Sequence, residues 1–174
     1  GPQAGIIAGR RKYLESIKRH PLLRAMRIDK LTLAALEATL RLYRDPRQAM
    51  AAIPTLRMLA SSPEELSRRA DALMRRLRPK LPSTVTLGKH KGESSPGGGS
   101  YPLLQLPTTL IEVGIAGSSP QQIEEALRNS TPPVLGRINR DRFLLDIRTI
   151  HDSEFPFLAE ALLQAADTLS KGSL

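Results

Sequence analysis

The sequence predicts an α+β fold, in which a basic helical segment precedes a small domain built on an antiparallel sheet with helices on one face. Two observations support this fold class. Apolar residues of the first half recur at helical spacing, whereas short strand-like runs dominate the second half. The second half also follows the order strand, strand, helix, hairpin, helix, which is typical of an α+β sandwich. Forty per cent of the 174 residues are hydrophobic, enough to form a core.

Composition excludes several classes of site. The chain contains no cysteine, which excludes disulfides, thiolate nucleophiles and cysteine-based zinc sites. His20, His90 and His151 lie far apart in the sequence, so we predict no metal site. No apolar run is long enough to span a membrane, and no secretory signal is recognisable. We therefore expect a soluble, cytoplasmic protein without membrane contact.

Positive charge is concentrated in the first half of the chain. Residues 1–80 contain 18 Lys or Arg and 7 Asp or Glu, whereas residues 81–174 contain 8 and 10. This asymmetry suggests an anionic partner such as nucleic acid. A solvated basic helix face would give the same pattern, so charge alone leaves both interpretations open.

The first half is predicted to contain one strand and several helices. The run Gly5-Ile-Ile-Ala-Gly9 resembles a buried strand, or a backbone segment that another group approaches closely. A basic helix follows and ends before Pro21, with His20 at its C-terminal end. A third segment has an apolar stripe over residues 33–43, and Asp29 precedes it as a possible N-cap.

A second group of helices follows. Residues 46–60 are predicted to be helical with a break at Pro54, and Ser62 begins a helix that reaches Leu77. Its inward face is predicted to consist of five apolar residues, namely Leu66, Ala70, Leu73, Met74 and Leu77. Its arginines are interpreted as a solvated surface, namely Arg68, Arg69, Arg75 and Arg76.

The second half begins with two predicted strands and a helix. Residues 84–87 and 110–115 have the composition of strands, and residues 90–100 are predicted to form a Gly/Ser-rich loop between them. Ser119 is followed by proline and two glutamines, which predicts a capped helix that ends before Pro132.

The chain is predicted to end in a hairpin and a helix. Residues 134–138 and 142–147 flank Asn139-Arg140-Asp141, whose composition suits a turn. A last helix is predicted near residues 153–169. Its inward face is expected to contain Phe157, Leu158, Ala161, Leu162 and Ala165.

Three clusters could carry chemistry. The backbone of Gly97-Gly98-Gly99 could cradle a phosphate, although a mobile or tight loop explains it better, because no phosphate motif accompanies it. Arg24, Arg27 and Lys30 would lie along one side of a helix and could clamp an oxyanion, or form a solvated basic face. Asp146 and Arg148 are expected to pair at the sheet edge. No Ser/His/Asp or paired-carboxylate arrangement is present.

Five stretches resemble bacterial selenocysteine synthases, the L-seryl-tRNA(Sec) selenium transferases. They are Gly-Pro-Gln-Ala-Gly-Ile-Ile-Ala-Gly at 1–9, the run from His20 to Leu40, Gly-Gly-Gly-Ser-Tyr-Pro at 97–102, Leu-Pro-Thr at 106–108, and residues 132–148. The resemblance covers nearly the whole chain in order. It implies a pyridoxal-phosphate (PLP) enzyme of fold type I, of which this chain is a C-terminal fragment.

The resemblance also implies how the fragment is organised. Residues 1–50 would be the end of the large PLP-binding domain, a strand plus helices, and residues 51–174 the small C-terminal α+β domain. The Schiff-base lysine would lie a few residues upstream of Gly1, so Lys12, Lys18 and Lys30 do not match it. We therefore expect no catalytic residue in this chain, no PLP bound by the fragment alone, and no activity from it.

The reaction implied is the conversion of seryl-tRNA(Sec) to selenocysteinyl-tRNA(Sec), with selenophosphate as the selenium donor and the PLP ring as electron sink. Arg24 and Arg27 match arginines that hold the anionic donor in this family, which favours the clamp over the solvated face. A homo-oligomer, a decamer in the family, is implied as well. Three alternatives remain: a nucleic-acid-binding module, an oligomerisation module, and a related PLP-dependent lyase that does not act on tRNA.

Overall fold

The chain divides into two compact units, Gly1–Arg57 and Met58–Leu174. The structure, a computed structural model, describes residues 2–96 and 103–171. Gly97-Gly98-Gly99 and the stretch 97–102 lie outside the described residues. The division after Arg57 lies seven residues beyond the predicted end of the first domain at residue 50.

The first unit is helical, and proline and aspartate residues separate its helices. Its elements are α1 (Arg11–Arg19), α2 (Leu23–Met26), α3 (Lys30–Leu42) and α4 (Pro46–Ala52), and α5 (Pro54–Ala60) continues into the second unit. Asp29 caps α3 by accepting hydrogen bonds from the backbone N–H groups of Leu31 and Thr32, at 2.8 and 2.9 Å. His20 closes α1, as predicted, and the helical segments break before Pro54.

The strand predicted at residues 5–9 is not formed. Residues 2–10 contain neither helix nor strand, and Ile6 and Ile7 are 70% and 68% exposed. No atom lies within 4 Å of a Cβ placed on Gly5 or Gly9, so the close approach considered as an alternative is absent as well. A strand needs a neighbour to complete its hydrogen bonds, and no described residue supplies one here.

The second unit confirms the predicted order of elements. It consists of α6 (Pro63–Leu77), β1 (Val85–Ser94), β2 (Leu106–Ile115), α7 (Pro120–Arg128), β3 (Arg137–Ile138), β4 (Phe143–Asp146), a 3₁₀ turn at Asp152–Glu154 and α8 (Phe155–Lys171). The four strands form one antiparallel sheet in the order β1-β2-β4-β3. Ser62 and Ser119 cap α6 and α7, as predicted. The capping box is complete at α7, whereas at α6 the Ser62 hydroxyl accepts from the Glu65 backbone N–H without the reciprocal bond that a box with Glu65 predicts.

The loop predicted at residues 90–100 is wrong over its first five residues. Residues 90–94 continue β1, and Gly92 faces Thr108 in the register with β2. A Cβ on Gly92 would lie 2.4 Å from Cδ1 of Leu110, so this glycine makes room for the leucine on the neighbouring strand. Composition suggested a loop, but pairing with β2 determines the strand.

The core joins one face of the sheet to α6, α7 and α8. Register places Ile111 and Val113 of β2 and Phe143 of β4 on this face, and all three are at most 2% exposed. The five inward residues predicted for α6 are all buried.

The last helix differs from its prediction at one residue. Phe157 is 51% exposed and Phe155 is buried instead, because the buried stripe of α8 starts at Phe155 and continues through Leu158, Ala159 and Leu162. Phe157 lies two residues from Phe155, which places it on the opposite side of the helix.

Candidate functional site

Arg24, Arg27 and Lys30 do not lie along one helix. Arg24 is in α2, which ends at Met26, and Arg27 has an extended backbone (φ −68°, ψ 138°). Lys30 begins α3. The predicted single helical face is therefore wrong, and the N-cap at Asp29 is the physical reason, since an N-cap residue needs a non-helical backbone.

Arg24 and Arg27 are nevertheless available to a ligand. Both residues are exposed, and neither guanidinium makes a hydrogen bond or an ion pair with another described residue. Two free guanidinium groups three residues apart can donate forked hydrogen bonds to a tetrahedral oxyanion. Their assignment to the selenium donor stays a prediction.

The described lysines do not form a PLP site by themselves. Lys18 pairs with Glu15 at 3.7 Å, Lys12 lies over the exposed Tyr13 ring, and Lys89 donates to Asp71 at 2.7 Å. A Schiff-base lysine needs an amine that can lose its proton in a desolvated site, and a carboxylate partner opposes that loss. The described residues of this chain therefore do not form a PLP site without residues from elsewhere.

A second candidate site lies on the face of the sheet opposite to the core with α6, α7 and α8. We call it the open face. Strand register places thirteen residues on it, namely Thr86, Gly88, His90, Gly92, Ser94, Leu106, Thr108, Leu110, Glu112, Gly114, Arg137, Leu144 and Asp146. At this face a pocket of about 570 Å³ opens, floored by Gly92, Leu110 and Leu144.

The β3–β4 hairpin brings three arginines to that pocket. Arg137, Arg140 and Arg142 all line it. Asn139 and Arg142 exchange two backbone hydrogen bonds, at 3.0 and 3.2 Å, so Arg140 and Asp141 are the two central residues of a tight turn. The predicted hairpin is thus confirmed, with its turn at the expected residues.

The carboxylates of Glu112 and Asp146 lie beside these arginines, and neither residue lines the pocket. Oε2 of Glu112 is 2.6 Å from Nε2 of His90 and 3.6 Å from Nη1 of Arg142. Arg137 donates from Nη2 to the carbonyl oxygen of Glu93 at 2.6 Å, and the same nitrogen is 3.9 Å from Oδ2 of Asp146.

Asp146 and Arg148 do not form the predicted side-chain pair. The Asp146 carboxylate accepts hydrogen bonds from the hydroxyls of Ser94 (2.5 Å) and Thr108 (2.7 Å) and from the backbone N–H of Arg148 (3.1 Å). The Arg148 guanidinium donates instead to three carbonyl oxygens, those of Met58, Ser61 and Pro107. Arg148 is 6% exposed, so these bonds replace its hydration.

One arginine of α6 is more than a solvated surface group. Arg69 donates to Oδ1 of Asp152 at 2.8 Å and to the carbonyl oxygen of Ile150, and its side chain is only 18% exposed. These bonds connect α6 to the turn before α8.

Arg76 of α6 also has a partner. Its Cζ atom lies 5.6 Å from the centre of the Phe155 ring, which is a cation–π distance.

No anion site is predicted from the sequence at the three arginines of this pocket. The signal in the sequence is the stretch Arg137-Ile-Asn-Arg-Asp-Arg142, which holds three arginines around a turn. The second half of the chain carries no net positive charge, and that average hides the local cluster.

Within residues 2–96 and 103–171, no group of three or more His, Asp or Glu side chains is able to hold a metal ion. No helix of these residues has the length and apolar character needed to cross a membrane.

Comparison with known proteins identifies the family. The model of the SelA family, described as L-seryl-tRNA selenium transferase, matches residues 1–151. Three relatives carry the name L-seryl-tRNA(Sec) selenium transferase. The relative from Geobacter sulfurreducens is 62% identical over 95% of this chain and 36% of its own length. Those from Nitratidesulfovibrio vulgaris and Desulfomicrobium baculatum are 53% and 48% identical, over 95% and 93% of this chain and 35% of their own lengths.

The match covers most of this chain but only part of each relative. The chain spans about 36% of the length of the relative from Geobacter sulfurreducens. The family model covers well over half of the chain, and the identities extend through both compact units. The chain therefore belongs to the L-seryl-tRNA selenium transferase family.

Proposed function

We propose that the whole protein to which this chain belongs converts seryl-tRNA(Sec) to selenocysteinyl-tRNA(Sec), with selenophosphate as the selenium donor. The family match over residues 1–151, in a chain 62% identical to a protein of that name, carries the proposal. The shared name of the relatives favours this reaction over that of a related lyase. A fold type I architecture, a homo-oligomer and a cytoplasmic location belong to the same proposal.

The proposal assigns PLP to residues outside these 174. The described lysines are exposed or paired, so the chain by itself is expected to bind no PLP and to be inactive. Incubation of the chain with PLP tests this expectation by absorbance. An absorption band that stays with the chain after gel filtration, and that borohydride converts to a covalent adduct, would contradict it, since reduction fixes PLP to the chain only through a Schiff base with a lysine.

Within the whole protein, we assign Arg24 and Arg27 to the anionic selenium donor. Their exposure and their lack of a described partner support this role. Residues 1–50 would then belong to the large PLP-binding domain and residues 51–174 to the small domain.

The donor assignment is tested by steady-state conversion of seryl-tRNA(Sec) with the full-length protein. We expect Arg24→Gln and Arg27→Gln each to raise KM for selenophosphate about tenfold or more, because each removes a charge-assisted hydrogen bond. Arg19→Gln is the matched control, since Arg19 is an exposed arginine of α1 with no described partner.

Two results would contradict these proposals separately. An unchanged KM in both variants overturns the role of Arg24 and Arg27. A wild-type protein that makes no selenocysteinyl-tRNA(Sec) overturns the function itself.

A further inference from the structure

We infer that the arginine-lined pocket on the open face of the second unit binds the phosphodiester backbone of the tRNA substrate. The inference rests on the proposed function, because that function supplies the RNA. It concerns a different part of the chain from Arg24 and Arg27.

The charges that face the pocket are complementary to a polyanion. Three guanidinium groups line it, whereas the side chains of Glu112, Asp141 and Asp146 do not. Glu93 borders it too, but register places its side chain on the helix-bearing face.

Those guanidinium groups retain donors for a ligand. The Arg140 side chain makes no hydrogen bond or ion pair with a described residue, and that residue is exposed. Nε of Arg137 is buried and has no hydrogen-bond partner among the described residues. Arg142 is 3.6 Å from one oxygen of Glu112, which leaves the rest of its planar fork free. The planar guanidinium group of arginine can donate two parallel hydrogen bonds to two phosphate oxygens, and its positive charge is opposite to theirs.

The backbone at Arg140 gives an independent indication. Arg140 and Asp141 have φ values of 49° and 56°, in the left-handed region that Asn and Gly occupy more readily. An Asn-Gly pair would suit this turn better, so an arginine at this position costs some local stability. Residues held in such conformations cluster at functional sites.

An RNA fits these features better than a small anion. The pocket has a volume of about 570 Å³, and its arginines come from β3, from the turn and from the residue that precedes β4. Its polar edge includes Ser95, Gln105 and Asn139, which can donate to further phosphate or ribose oxygens.

Binding of tRNA(Sec) to the full-length protein, measured across a salt series, tests the inference. The double variant Arg140→Asn, Arg142→Gln removes two charges, and asparagine tolerates the backbone at position 140. We expect the variant to bind at least tenfold more weakly at low salt. Its slope of log K against log salt should become shallower by about 1 to 2, since each phosphate contact contributes about 0.7 to 0.9.

Controls separate a binding role from a structural one. Arg75→Gln, Arg78→Gln removes two exposed charges elsewhere in the second unit, and we expect a shift in affinity well below that of the double variant. Arg140→Asn alone should leave Tm unchanged or raise it while weakening tRNA binding. In turnover assays the double variant should raise KM for seryl-tRNA(Sec) and leave kcat unchanged.

Three outcomes would overturn the inference. In the first, the double variant binds tRNA(Sec) as the control does, while the wild-type protein binds and turns over normally, so the proposed function stands. In the second, the double variant loses affinity for inorganic phosphate but keeps its affinity for tRNA(Sec), which makes the pocket a small-anion site. In the third, the wild-type protein binds no tRNA(Sec), which overturns the proposed function as well.

Discussion

Arg148 shows how one buried side chain can hold several segments together. Its guanidinium donates to the carbonyl oxygens of Met58, Ser61 and Pro107, at 2.5, 3.2 and 2.6 Å. Burial lowers the pKa of this guanidinium, whereas the nearby charges of Asp146 and Glu65 raise it. Arginine nonetheless stays charged at neutral pH, so all three bonds are charge-assisted.

Removal of this group should destabilise the second unit strongly. We expect Arg148→Ala to lower the free energy of unfolding by about 3 kcal/mol, because three carbonyl oxygens lose a charged donor. Urea unfolding followed by circular dichroism measures the change. Arg68→Ala, an exposed arginine of α6, should change the free energy of unfolding by less than about 0.5 kcal/mol. Equal effects of the two substitutions would contradict this account of Arg148.

Individual arginines of the chain thus have different roles despite their common charge. Arg69 and Arg148 make tertiary hydrogen bonds, whereas Arg24 and Arg27 have no described partner. The sequence predicts a solvated position for Arg69, because the partners that bury it, Ile150 and Asp152, lie more than 80 residues away.

Among the helices, α3 has a cap that responds to pH. The Asp29 carboxylate accepts hydrogen bonds from the Thr32 hydroxyl at 2.6 Å and from the Thr32 backbone N–H at 2.9 Å. The hydroxyl bond is the largest cause that lowers the pKa of Asp29 below its ordinary value of 3.8. Since the folded pKa is depressed, the capping stabilisation is complete above the unfolded value. It is lost as the pH falls through the folded pKa, below 3.8.

Removal of the Thr32 hydroxyl should raise the pKa of Asp29. We expect Thr32→Ala to move that pKa upward toward 3.8, as followed by NMR titration of the Asp29 carboxyl carbon. Thr39→Ala is the matched control, because the Thr39 hydroxyl donates to the carbonyl oxygen of Ala35 and not to a carboxylate. A pKa of Asp29 that is the same in both variants would show that the hydroxyl has no part in the shift.

The helix caps were the elements most open to prediction. Asp29, Ser62 and Ser119 all cap the helices that follow them, as expected. A cap joins residues two or three positions apart, so its signal lies within a few letters of sequence. The extent of β1 could not be predicted in this way, because its partner β2 lies beyond a loop and its glycines suggested a turn.

The two units of the molecule differ strongly in how many side chains they bury. In the described part of the first unit, Ala49 is the one buried residue, and helices α1, α2 and α3 bury none. In the second unit, α6 alone buries five apolar side chains. Helices of this length depend on tertiary packing for most of their stability.

Hydrogen exchange of the 174-residue chain should reflect this difference. In a monomeric chain, we expect amides of residues 11–42 to exchange at least tenfold faster than those of α6. The alternative expectation is that the chain self-associates through its exposed apolar side chains. Mass spectrometry of exchange, together with light scattering, measures both. A purely monomeric chain in which the amides of the first 50 residues exchange as slowly as those of α6 would contradict this expectation.

The sequence by itself determined the caps of α3, α6 and α7, the buried face of α6 and the order of elements in the second unit, since each depends on neighbouring residues and on a periodicity visible in the letters. It also supported the family, which the comparisons then showed. Only the tertiary structure decided that residues 90–94 pair with β2, that Arg148 reaches three carbonyls, and that three arginines of one hairpin line a single pocket. The first two features join groups distant along the chain, and the pocket needs residues of β1 beside the hairpin, so all three exist only once the sheet has formed.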